Sequence, residues 1–597
     1  MKRSTRQEPD QGNSAAERGT RLRSPVKKLF MSMGRGTVIL GGCLVVLSLF
    51  VTLSFVYQDP PLGRYTISSV SSGQNLYRGS GFGGDLGNGG KMVDGFDGVI
   101  GGRNLEGEAK EENENSQSSD ELNDKLLGGL LSDGFDERTC LSRYQSASYH
   151  KKSQLKPSAY LIDRLRKYEA LHKKCGPYTA SYNKTVNLLK PGSSSENADC
   201  QYVVWIANSG LGNKILSIAS AFLYALLSNR ILLVDGRVDL AYLFCEPFPE
   251  GSWLLPPDFP LNQFKDFNTN SPERYGHMLK LSSKKEGGLS TLFPLTFVYV
   301  HLSHDYDEHD KLFFCDDEQI LLQGVPWLFL RTDNYFVPSL FLMPKFVEEL
   351  NRLFPEKDTV FYHMGRYLFH PANSVWGMIT RFYDAYLAHA DERIGIQIRT
   401  FDTRKGPFQH VLDQILSCAR NMEILPNISR HEPVTSWHDP KRRHKAVLIT
   451  SLSGGYFEWI RNMYWAHPTV NGDIISVYQP SHEEFQQTEK EIHNMKALAE
   501  MYLLSLNDML ITSAWSTFGY VAQGLGGIRP WILYKPENDT APDPPCRRAM
   551  SIEPCFHAPP FYDCKAKVGT DTGKLVPHVK HCEDMSWGLK VVGKDEL

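Results

Sequence analysis

The chain has 597 residues, with 65 Lys and Arg against 68 Asp and Glu and a formal net charge of −3. That near-balance, without any sustained basic stripe, excludes a nucleic-acid-binding protein. A chain of this length with no fixed-period repeat is too long for one hydrophobic core, so at least two packed domains are expected.

The first elements concern location. Residues 1–36 are rich in Lys and Arg and precede an uncharged apolar run, residues 37–57. That run is long enough for the roughly 30 Å hydrocarbon core of a bilayer. Basic residues stay on the cytoplasmic side, so the sequence predicts a cytoplasmic tail, a transmembrane anchor and a lumenal remainder. A cleaved signal peptide is the competing reading; the length of the run and of its basic prelude favours an uncleaved anchor. Residues 58–124 are dominated by Gly, Ser, Asn and acids, which cannot bury enough surface to offset ordering entropy, and are expected to be a disordered stem.

Beyond the stem the pattern alternates. Tyr202–Ile206 reads as a strand, Gly210-Leu211-Gly212-Asn213 as a glycine-rich turn, Lys214–Ser228 as an apolar helix and Ile231–Asp235 as the next strand. Pro326–Leu330 is a further apolar strand, closed by Asp333, and Tyr383–Ala390 is helical. Ile394–Ile398 is a buried strand ending in Arg399. Strands at Ala446–Thr450, Ile474–Tyr478, Met509–Ser513 and Trp531–Tyr534 follow, with a helix over Glu489–Ser505 and another from Phe518 to about Leu525. Such alternation builds parallel sheets covered by helices on both faces. The expected division is an α/β domain over 125–390, a second over 391–540 and a Cys-rich segment over 541–597.

Three loops at carboxyl ends of these strands, where open α/β sheets bind ligands, are candidate binding sites. Gly210, Gly212 and Asn213 open a helix whose free amides favour anions. The run lacks the full dinucleotide fingerprint, so a nicotinamide cofactor is disfavoured. Arg399 can hold a phosphate bidentately, or pair with a carboxylate. Ser516, Thr517, Phe518 and Gly519 can cradle a pyrophosphate, or simply cap a helix. Asp333 can accept or position a proton, or form a turn; Asp584 is a weaker choice. The run His304–Asp310 offers an Asp-x-Asp pair to a metal, but no clear strand precedes it in the pattern, and no metal is expected.

Cys43 lies in the apolar run; the other ten cysteines form an even set that suits disulfides in an oxidising compartment. The last four, Cys546, Cys555, Cys564 and Cys582, are expected to staple their segment locally. Asn183, Asn427 and Asn538 head N-glycosylation sequons. Lys594-Asp595-Glu596-Leu597 reads as an address for retrieval to the endoplasmic reticulum, so cycling between that compartment and the Golgi is expected.

Several stretches of the chain resemble those of one family. Asp124–Asp136, Cys140–Tyr144, Val203–Trp205 with Gly210–Asn213, Thr332–Ser339, Gly365–Phe369, Ile394–Arg399, Ser513–Gly527 and the Cys546–Gly588 tail resemble the plant xyloglucan fucosyltransferases. The resemblance implies a GT-B-like glycosyltransferase with two Rossmann-like domains behind one transmembrane helix and a flexible stem. It implies a Golgi enzyme of type II topology moving L-fucose from GDP-fucose to O-2 of galactose in xyloglucan side chains, with inversion and without a metal or cofactor. Arg399 then grips the GDP pyrophosphate and balances leaving-group charge. Ser516, Thr517, Phe518 and Gly519 fall on the nucleotide loop, and Asp333 on an active-site carboxylate that takes the proton or orders a water. The expected partners are GDP-fucose and galactosylated xyloglucan; a homodimer or a complex with other wall-polysaccharide transferases is left open. Two alternatives stand: the same chemistry on arabinogalactan protein glycans, and a non-catalytic lumenal sugar-binding protein.

Overall fold

The structure, a computed structural model, describes residues 124–190, 198–236, 240–282, 295–402, 404, 406–430, 442–487 and 490–597. The expected tail, anchor and, apart from Asp124, stem lie outside these residues. Among the described residues no helix is long and apolar enough to cross a membrane.

The first sheet contains β1 (Tyr202–Ile206), β2 (Ile231–Val234), β3 (Phe297–Leu302) and β4 (Trp327–Thr332), in the order β2-β1-β4-β3, all parallel. Every residue of β1 and β2 is buried. Helices cover both faces of such a sheet, which is why its strands read as unbroken apolar runs instead of alternating patterns. The chain winds one way from β1 to β2 and returns on the other side through β3 to β4. The winding therefore reverses between β1 and β4, the position at which open α/β sheets bind ligands.

The second sheet has the same logic. It contains β5 (Glu392–Ile398), β6 (His444–Ser451), β7 (Ile474–Tyr478), β8 (Met509–Ser513), β9 (Trp531–Leu533) and β10 (Cys546–Arg548), in the order β10-β9-β8-β5-β6-β7. All neighbours are parallel except β9 and β10. Here the winding reverses between β5 and β8. The ribbon β11 (Val579–His581) and β12 (Leu589–Val591) is antiparallel.

Four helices matter for the site: α1 (Leu211–Leu227), α2 (Asn373–Tyr386), α3 (Glu491–Ser505) and α4 (Thr517–Gly526). One apolar cluster runs through them without a break, joining Phe222 and Tyr224 of α1, Trp376 and Ile379 of α2, Tyr502 of α3 and Tyr520 and Leu525 of α4. The two sheets thus share a core. Tyr386 of α2 also packs on Tyr478 of β7, with ring centroids 5.0 Å apart.

Several expectations need correction. His304 does follow a strand: β3 ends at Leu302. The helix expected over Tyr383–Ala390 is the end of α2, which starts at Asn373. The second sheet extends past residue 540, because β10 pairs with β9 through Cys546↔Leu533. Nor are the last four cysteines stapled locally. Only Cys555–Cys582 is internal to that segment, whereas Cys418–Cys546 and Cys315–Cys564 tie it to the two sheet units. Cys140–Cys245 and Cys175–Cys200 complete the set. The acidic residues of Lys594–Leu597 lie against the body, with Asp595 on Arg529 at 2.6 Å.

Candidate active site

The loops at the two reversal points face each other across a cavity of about 440 Å³. Gly210, Leu211, Gly212 and Asn213 supply its wall from the first sheet; Arg399 and Trp515–Phe518 supply the opposite wall. His557 and Met585 close it from the carboxyl-terminal segment.

Arg399 follows the central strand β5. Its backbone N–H donates to Ser513 Oγ (2.9 Å), and Nη2 donates to Gln486 Oε1 (3.1 Å). Among the described residues no carboxylate pairs with it, so the ion-pair reading of this arginine fails. Burial lowers its pKa from the usual guanidinium value, yet guanidinium keeps its charge at neutral pH. A charged guanidinium lining a cavity with a neutral amide and the Phe401 ring (5.5 Å to its centroid) as side-chain partners is suited to an anion.

Two helix N-termini meet at the same place. α4 begins after Ser516, whose side chain makes no capping hydrogen bond, and α1 begins after Gly210, which has no side chain to offer. The capping role that a serine often fills is therefore not played here. The first amides of each helix, at the positive end of its dipole, remain for an anionic ligand. Thr517 Oγ1 donates to Asn213 Oδ1 (2.9 Å), and Asn213 Nδ2 donates to the Asp333 carbonyl (3.1 Å). Gly212 explains the closeness: a Cβ there would sit 2.8 Å from Thr517 Oγ1 and 2.9 Å from the Thr517 carbonyl carbon. Its glycine serves helix-to-helix contact. Gly519 does not line the cavity; it faces Thr512 and Gln397, at 3.1 and 3.2 Å from where a Cβ would stand. It lets α4 lie close on the sheet.

Trp515 takes a left-handed backbone, φ 60°. Asp584 holds it there, accepting from the Trp515 N–H (2.9 Å) and, through its carbonyl, from the indole Nε1 (2.5 Å). Strain of this kind in a bulky residue marks sites where side-chain direction matters. Asp584 Oδ2 also accepts from Tyr520 Oη (2.6 Å), which lies 3.2 Å from His557 Nε2. Burial lowers the pKa of His557. Deeper in, Glu500 Oε1 accepts from the N–H and Oγ of Ser481 (3.1 and 2.6 Å), and burial pushes its carboxyl up to about 7.

Asp333 stands at the end of β4, beside the cavity and not on its lining. Its carboxylate is shared with His304, Asn334 and Ser209. The acids of the His304–Asp310 run are committed to other partners. Arg274 pairs with Asp307 (3.1 Å) and Asp310 (2.9 Å), Asp307 caps the short helix Glu308–Lys311, and Asp305 meets His301 Nε2 at 2.8 Å. They do not converge as an oxygen cage. Cys555, Cys582 and Asp584 bring metal-type atoms together, but the two sulfurs are bonded to each other.

Sequence reasoning missed Gln486, Glu500, His557 and Met585 as lining residues, and passed over His304 inside an acidic run. Only the fold carries His304 onto a carboxylate 29 residues further on.

The fold defines an α/β protein of two Rossmann-like units with a cleft between them. The model of the family "Xyloglucan fucosyltransferase" matches residues 103–565. A galactoside 2-alpha-L-fucosyltransferase of Pisum sativum is 66% identical over 472 residues, covering 79% of this chain and 82% of its own. One of the same name from Arabidopsis thaliana is 61% identical over 470 residues, covering 79% and 83%. The solved structure of a mutant of Arabidopsis thaliana FUT1 in complex with GDP is 59% identical, with a TM-score of 0.72 over 79% of this chain and all of that one. The chain belongs to the xyloglucan fucosyltransferase family, as its motifs lead one to expect.

Proposed function

We propose that this protein is a GT-B-type galactoside 2-alpha-L-fucosyltransferase that moves L-fucose from GDP-fucose to O-2 of galactose in xyloglucan side chains. The observation that carries this reading is Arg399, charged, paired with no carboxylate among the described residues and lining one cavity with two uncapped helix N-termini. A pyrophosphate matches that arrangement, and a relative of known structure was solved with GDP. The acceptor hydroxyl attacks C1 of fucose as the bond from C1 to the β-phosphate oxygen breaks, with inversion. The electron pair stays on GDP, where Arg399 and the amides after Ser516 stabilise it. That role falls to a metal in Asp-x-Asp enzymes. Here the corresponding acids are engaged by Arg274 and by backbone amides, which supports a reaction without metal.

We place the enzyme in the Golgi membrane, single-pass and type II, with its catalytic body lumenal. The basic tail ahead of the apolar run supports this, as do five disulfides, which belong in an oxidising compartment. Asn183, Asn427 and Asn538 are all exposed, as glycan acceptors must be.

The test uses the full chain in detergent, labelled GDP-fucose and a galactosylated xyloglucan oligosaccharide, with and without EDTA. Linkage analysis of the product should give 2-substituted galactose in both. Transfer only to arabinogalactan glycans would change the acceptor, and loss of activity in EDTA would overturn the metal-free reading.

A further inference from the structure

Both carboxylate oxygens of Asp333 are engaged. A carboxylate offers about four lone-pair sites, and four donors take them. Oδ1 accepts from the His304 backbone N–H (3.0 Å) and Asn334 Nδ2 (2.9 Å). Oδ2 accepts from His304 Nδ1 (2.6 Å) and Ser209 Oγ (3.2 Å). Two of the four bonds come from one residue, so the carboxylate fixes both the backbone and the ring of His304. With its proton on Nδ1, the ring carries an open lone pair on Nε2. Its side chain is 72% exposed, beside the loop in which Ser209 leads into cavity-lining Gly210. A histidine aimed by a buried carboxylate is a proton acceptor held in one tautomer.

We propose that His304 Nε2 takes the proton of the attacking sugar hydroxyl, with Asp333 as its positioning residue. The inference rests on the reading of this chain as a fucosyltransferase. The balance is simple. The acceptor O-2 forms its bond to C1 of fucose, the bond from C1 to the phosphate oxygen breaks with its electron pair on GDP, and the O-2 proton moves to His304 Nε2. The imidazolium so formed is stabilised by Asp333 and then releases the proton to water.

The electrostatics agree. The hydrogen bond to Asp333 raises the pKa of His304 against a smaller effect of desolvation, and Asp305 adds to the rise. The rival base is His557, which lines the cavity. Its Nε2 is engaged with Tyr520 Oη, and burial lowers its pKa despite the charges of Asp584 and Asp333. A weaker base at that position is the poorer acceptor.

The experiment compares the full chain with His304→Ala, His304→Gln, Asp333→Asn and His557→Ala. Wild-type transfer to the galactosylated acceptor tests the underlying reading separately; its absence would sink that reading. With it present, His304→Ala should lower kcat by about 10²–10⁴-fold while GDP affinity by calorimetry stays within about twofold of wild type. Added imidazole should restore at least about tenfold of that loss. Asp333→Asn should move the acid limb of the kcat–pH profile to lower pH, since an amide does not stabilise imidazolium. Should His304→Ala lose GDP binding, His304→Gln carries the same test through kcat and loss of the acid limb. Turnover within threefold of wild type in His304→Ala, or a loss that imidazole restores only in His557→Ala or not at all, overturns the proposal.

Discussion

Thr517 donates its hydroxyl to Asn213 over 2.9 Å, and this one bond joins the first turns of helices that belong to different sheets. Asn213 passes the contact on to the Asp333 carbonyl. The loop after β8 and the backbone of Asp333 beside the cleft are therefore parts of one hydrogen-bonded chain. A double-mutant cycle with Thr517→Val and Asn213→Ala should show a coupling of about 0.5–1.5 kcal/mol in stability. Strict additivity would mean that the two helices are held by apolar packing alone.

Gly212 makes the same junction sterically possible. Gly212→Ala places a methyl group against the backbone of Thr517, where no flexible side chain can give way. The substitution should cost about 1–3 kcal/mol and raise the KM for GDP-fucose, as the two N-termini separate. An unchanged melting temperature and KM would show that the helices stand further apart than described.

The disulfides give a chemical check on the architecture. Peptide mapping without reduction should recover Cys315–Cys564 and Cys418–Cys546 as cross-links between distant segments. Removing Cys418–Cys546 by double Ser substitution should destabilise the chain by about 2–5 kcal/mol. Local pairs confined to 546–582 would contradict the way the carboxyl-terminal segment is docked.

Glu553 supplies a pH signature. It is fully buried, accepts from Tyr335 Oη (2.5 Å) and the Phe361 N–H (2.7 Å), and burial pushes its carboxyl up to about 8 from the ordinary 4.5. Between those values the folded chain keeps a proton that the unfolded chain has released. Its contribution to stability is whole below pH 4.5 and is lost as pH rises towards 8. Glu553→Gln removes that dependence, so its melting temperature should vary less with pH than that of the wild type across this window. Parallel curves for the two proteins would contradict the assignment.

What could be read beforehand follows from the physics of each element. β1, β5, β6 and β8 are buried on both faces, so their apolar runs stand out, and Arg399 and the Ser516–Gly519 loop could be placed at strand ends. β10 and the ribbon strands have three residues each, too few to show a period. β3 abuts an acidic run that obscured it. Disulfide pairing and the His304–Asp333 contact depend on which strand ends the topology brings together, and no local pattern records that. The two glycines of the first turn were legible as close-approach residues, but the approach of Gly212 is to Thr517.

The central claim is that Arg399 is the anion anchor of a nucleotide cleft, and calorimetric titration of GDP into the wild type and Arg399→Ala tests it most directly. The account predicts one GDP per chain for the wild type and binding weaker by about 10- to 100-fold in the variant, the loss of charge-assisted hydrogen bonds to phosphate, with an unchanged melting temperature. Equal GDP affinity in the two proteins would contradict it.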